Sequence, residues 1–140
     1  MYRFSFWKWP RCACGEPFTI ELGCTMPLSD YICTTTVTAS KTRRFVIETI
    51  SFSGQATNGQ TVGADFTFNT GGKPVFVWLP VKSNGPSPSA GTGIYVATLA
   101  VILRVDPNSP ITLEAYRNAT ANAGQNTPYS QRLNLMGYLE

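Results

Sequence analysis

Val62-Gly63-Ala64-Asp65-Phe66-Thr67-Phe68-Asn69 is the stretch on which the fold turns, because Val62, Ala64, Phe66 and Phe68 alternate with Gly63, Asp65, Thr67 and Asn69. Successive side chains of a β-strand point to opposite faces, so this pattern predicts a strand with one face buried and the other wet. Downstream, Val75, Val77, Leu79 and Val81 alternate with Phe76 and Trp78, which predicts a strand covered on both faces or one whose aromatic face meets a partner. Further on, Tyr95, Ala97, Leu99, Val101, Leu103 and Val105 form one apolar row, and Arg104 and Asp106 mark where the other row reaches water. Residues 35–39, 44–52, 111–118 and 132–139 complete the expected set of strands.

The breaks between these runs carry turn chemistry. Asn58-Gly59 and Gly71-Gly72 are hairpin dipeptides, and Asp106-Pro107-Asn108-Ser109-Pro110 combines a preset φ with side chains that hydrogen-bond their own backbone. Residues 83–93 and 119–128 read as loops, the first too rich in Pro and Gly for a helix or a central strand. No stripe of helical period follows residue 35. The expected fold class is therefore all-β: a single two-sheet antiparallel sandwich spanning residues 31–140. Residues 1–30 are expected to be an arm outside the core, because all four cysteines up to Cys33 and the aromatic run Tyr2–Trp9 give that region a different character. Met26 offers an alternative start for the chain.

Composition excludes several functions. Among 140 residues there is no histidine, which removes the commonest general base, zinc ligand and pH switch together. Charged residues make up 14% against about 25% in an average soluble domain, and the net charge of +3 is shared with Arg3, Lys8 and Arg11. No dense basic face is left to release counterions from a nucleic-acid backbone. The longest apolar run, residues 94–103, falls short of the roughly 18–20 residues that span a bilayer. Trp9-Pro10-Arg11 interrupts the place where a signal peptide needs its apolar region, so a soluble chain without a recognisable signal peptide is expected.

The ending Leu133-Asn134-Leu135-Met136-Gly137-Tyr138-Leu139-Glu140 resembles the last strand of C1q and tumour-necrosis-factor type jelly rolls. Together with Lys41-Thr42-Arg43-Arg44-Phe45-Val46-Ile47-Glu48 it is also similar to a loose group of small bacterial β-sandwich proteins. The resemblance covers residues 35–140. It implies jelly-roll topology and a non-catalytic binding or assembly module, often trimeric, and it supplies no site residues.

Five constellations could carry chemistry. Cys12, Cys14, Cys24 and Cys33 lack the paired knuckles of a structural zinc site, so neither metal nor cofactor is expected, and disulfides leave three pairings open. The cationic, aromatic segment Tyr2–Trp9 has the mixture that favours a membrane interface, or else packs on the sandwich. Glu48, Asp65, Asp106 and Glu114 are the acid–base candidates, each readable as a solvated charge, with Asp106 in a turn. Arg43 and Arg44, with Lys41, could grip an anionic group or guard a sheet edge, and Phe76 and Trp78 could stack on a sugar, meet another subunit, or simply be buried. Phe76, Trp78, Arg43 and Arg44 are thus the ligand-binding candidates. No catalytic set can be assembled from these residues. The expectation is a non-enzymatic module that binds a glycan or protein ligand or self-associates, with a virion or surface-appendage component and a carbohydrate-binding module as the alternatives.

Overall fold

The computed structural model describes residues 15–27, 30–57, 60–86, 92–118 and 129–140. They form β1 (Glu16–Met26), β2 (Ile32–Thr38), β3 (Phe45–Thr57), β4 (Val62–Thr70), β5 (Lys73–Trp78), β6 (Lys82–Pro86), β7 (Thr92–Val105), β8 (Pro110–Arg117) and β9 (Tyr129–Leu139). A five-stranded sheet in the order β1-β9-β3-β7-β6 packs against a four-stranded sheet in the order β2-β8-β4-β5, and every pairing is antiparallel. The chain is an all-β two-sheet sandwich. Most consecutive strands change sheet; β4–β5 and β6–β7 are the pairs that stay within one. No helix among the described residues is long and apolar enough to cross a membrane.

Alternation builds the core. From the five-stranded sheet Phe45, Ile50, Leu133 and Leu135 point inward, and from the four-stranded sheet Phe66, Ile111 and Leu113 meet them, all with negligible exposure. The inward row of β7 predicted from Tyr95 to Val105 is the one that packs on this core. A plain strand could not place Phe45, Ile47, Ile50 and Phe52 on one side. Between Ile47 and Thr49 the register of β3 shifts against both neighbours, and this bulge at Glu48 reverses the phase so that all four are buried.

The expectation of an arm over residues 1–30 fails for Glu16–Met26. Glu16–Met26 pairs along its whole length with β9, and Ile20, Leu22 and Met26 are buried, so β1 belongs to the sandwich and a chain beginning at Met26 would lack it. The alternation Phe18, Ile20, Leu22 is masked in the sequence by its cysteine-rich neighbourhood. The membrane-interface reading of residues 2–9 concerns residues outside those described. A second departure lies at residues 83–86, expected as loop and found in edge strand β6, where Pro86 and Gly85, the latter at φ 91°, are tolerated because the outer edge has no partner strand among the described residues.

Three contacts close the ends of the sandwich. Cys24 and Cys33 form a disulfide that ties the end of β1 to β2 across the two sheets, settling one of the open pairings. Arg117, almost fully buried, donates from Nε to the carbonyl of Asp30 and from Nη2 to those of Pro27 and Asp30, which fixes the same β1–β2 connection. At the opposite end the Asp106 carboxylate accepts from the amides of Gly71 (2.9 Å) and Gly72 (2.8 Å). Both glycines have positive φ, at 58° and 75°, as a two-residue hairpin turn of this hand requires. The expectation of Asp106 as a turn residue holds, but the turn it secures is that of β4–β5, far off in sequence.

Candidate functional site

The site is assembled by register on the outer face of the four-stranded sheet. Antiparallel pairing sets Asp65 of β4 opposite Trp78 of β5 on one side and opposite Glu114 of β8 on the other. One row along, Thr67 lies between Phe76 and Thr112; one row back, Gly63 faces Tyr116, which faces Ile32 of β2. Ala64 and Phe66 turn inward to the core, so alternation sends Asp65 outward. The face sets an aromatic strip beside a pair of carboxylates.

Trp78 and Phe76 are 67% and 65% exposed, which corrects the expectation that burial against a second layer covers them. β5 is an edge strand with its inward residues Val75 and Val77 on the core and nothing over its other side among the described residues. Tyr116 meets Trp78 edge-on, with ring centroids 6.4 Å apart. It reaches across β4 because position 63 has no side chain: a Cβ there would fall 2.3 Å from the Tyr116 ring. Ile32 and the neighbouring Tyr31 extend the apolar surface at the β2 end. Beyond the aromatic strip the face is threonine, and that part satisfies itself, with Thr36 and Thr112 hydroxyls 2.9 Å apart.

Asp65 is the residue that sequence reading placed wrongly. Expected as a solvated charge, it is only 7% exposed although it points away from the core. Its neighbours on that face are Trp78 and Glu114 in register, with the Tyr116 ring reaching over the adjacent Gly63. Burial first, and the Glu114 carboxylate second, push its pKa above the ordinary 3.8. The same surroundings, burial and then the two carboxylates, raise the Tyr116 hydroxyl above 10. Neither Asp65 nor Glu114 has a cationic partner among the described residues. Like charges directly opposite on neighbouring strands destabilise a sheet, so this arrangement is retained at a cost.

The other candidates are spent on structure. Arg43 pairs with Glu16 at 2.7 Å and donates to the carbonyls of Leu139 and Glu140, and Arg44 lies 3.7 Å from the Glu140 carboxylate, so Arg43 ties the start of β1 to the end of β9 and Arg44 pairs at the same end of β9. Glu48 is the exposed bulge residue of β3, remote from any other acid–base candidate in the register. On the opposite sheet a shallow depression of about 440 Å³ is bordered by Ser53, Gln55, Ile94, Ser130 and Arg132, the last already paired to Glu21. The structure thus brings together Phe76, Trp78, Asp65 and Glu114, and adds Tyr116, which the sequence reading passed over as an ordinary strand residue. The pairing of Asp65 with Glu114 rests on a β4–β8 contact between segments almost 50 residues apart, and no local signal marks it.

Compared with models of protein families, with curated proteins and with solved structures, the chain matches none.

Proposed function

We propose that this chain is a non-enzymatic module of jelly-roll type that works by contact, docking through the outer face of its four-stranded sheet. The order β1-β9-β3-β7 over β2-β8-β4-β5, with β6 as an added edge, supports the topology, since it is the nesting produced when a pair of long antiparallel arms is wrapped around a barrel and closed by two Greek keys. The observation that carries the function is the exposure of Trp78 and Phe76 side by side on an edge strand. Large exposed aromatics grouped on one face are the usual anchors of interfaces, where they exclude water from the contacts around them.

Self-association through this face is the first form of the reading. Light scattering behind size exclusion, run on the full chain over a hundredfold range of concentration, tests it. The wild type is expected to rise in molar mass with concentration, to a trimer or beyond, and the double variant Phe76→Ser, Trp78→Ser to stay monomeric with an unchanged circular dichroism spectrum. A wild-type chain that remains monomeric throughout, or a variant that assembles equally well, refutes it. Growth into large particles would instead point to a virion or appendage component built on the same face.

A further inference from the structure

Trp78 and Tyr116 flank a carboxylate that has no cationic partner among the described residues. Asp65, more than nine-tenths buried yet facing outward, and Glu114 beside it present four carboxylate oxygens next to the exposed Trp78 ring, which Tyr116 meets edge-on. Carboxylates and aromatic faces repel anions and attract cations, so all four groups favour a ligand of one sign. Resting on the contact reading above, we infer that this cup receives the guanidinium of an arginine presented by a protein partner.

Geometry selects arginine among cations. Directly opposed residues on antiparallel strands hold their Cβ atoms about 4.5–5.5 Å apart, a spacing that a planar guanidinium can bridge by donating from two edges, one to each carboxylate. The same plane can stack on an indole or phenol ring, whereas a lysine ammonium offers a point charge without a face. The exposed flank of the Trp78 ring supplies the stacking surface, and the edge-on Tyr116 ring supplies a wall. A neutral glycan could stack on Trp78 as well, but it would leave the mutual repulsion of Asp65 and Glu114 in place. Thr36 and Thr112 bond one another, and the charge of the face lies at the two carboxylates.

The test is a titration of the full-length chain with hexa-arginine, hexa-lysine and cellohexaose, followed by the indole N–H resonance of Trp78, assigned by its loss in Trp78→Phe. Hexa-arginine is expected to shift that resonance saturably, and the double variant Asp65→Asn, Glu114→Gln to bind about tenfold more weakly or worse, the effect of losing two charge-assisted hydrogen bonds in a partly solvated site. Glu114→Gln alone, an isosteric change at a half-buried position, should show part of the loss with an unchanged circular dichroism spectrum. Hexa-lysine binding as tightly as hexa-arginine overturns the assignment, as does equal binding of hexa-arginine by wild type and the neutralised variant, or a shift with cellohexaose and none with hexa-arginine. Failure here is separable from failure of the contact reading. If Trp78 controls the molar mass of the chain while hexa-arginine leaves its indole unmoved, the face is an interface and the arginine receptor is refuted.

Discussion

Replacing Cys24 and Cys33 together by alanine should destabilise the sandwich by a calculable amount. The disulfide closes a loop with a sequence separation of 9. The chain-entropy relation, −2.1 − 1.5R ln n with n about 9, gives roughly −8.7 cal/mol/K, or about 2.6 kcal/mol at 25 °C. The native state has a separate clamp on the same loop, because Arg117 holds the carbonyls of Pro27 and Asp30 and the Asp30 amide bonds the carbonyl of Pro27. The folded geometry should therefore survive loss of the bridge, leaving the cost in the freed unfolded chain. For a domain of this length the loss corresponds to about 8–10 °C in Tm. The comparison is made by urea unfolding in a background with Cys12 and Cys14 replaced by serine, so that no new pairing forms. A loss below about 1 kcal/mol would refute the loop-closure reasoning and indicate residual order around residues 24–33 in the unfolded chain. A loss with altered chemical shifts around Arg117 would instead show that the clamp depends on the bridge.

Three further outcomes follow from the same structure. Asp65→Asn should stabilise the protein at pH 7 by about 0.5–1 kcal/mol, since it removes a like-charge pair; with the folded pKa above 3.8, the wild type loses stability as pH rises through the interval between 3.8 and that higher value, so the advantage of the variant should vanish below pH 3.8 in urea melts. Asp106 has the opposite sign: the Gly72 and Gly71 amides hold its pKa below 3.8, so the stability it contributes is present above 3.8 and lost as pH falls through the lower folded value, and an Asp106→Asn chain whose acid unfolding curve matched the wild type would contradict that role. Gly137→Ala should cost about 3 kcal/mol or more, because its Cβ would fall 1.8 Å from the Val46 carbonyl oxygen and push β9 off β3, whereas Gly23→Ala, with no neighbour nearer than 3.7 Å, serves as the tolerated control; equal thermal midpoints for the two would refute the packing argument.

The sequence by itself determined the class of fold and most of its strands, because burial of one face imposes a period of two on each strand separately: Val62, Ala64, Phe66 and Phe68 announce β4 without reference to any other segment. It also singled out Phe76 and Trp78 as candidates for a contact, beside the alternative of burial, and Asp106 as a turn former. Where local chemistry was ambiguous the reading stopped short, as with β1, hidden among cysteines, and β6, written in Gly and Pro. Only the tertiary structure decided which strands are neighbours, and with that the pairing of Asp65 with Glu114, the laying of Tyr116 over Gly63, the burial of a carboxylate on an outward face and the pairing of Arg43 with Glu16 and Arg44 with Glu140. The physical reason is range. Alternation is a property of each strand with its own two faces, whereas the charge, cover and partners of a side chain on a sheet are set by register with strands far away in sequence, and no local pattern of residues carries that register.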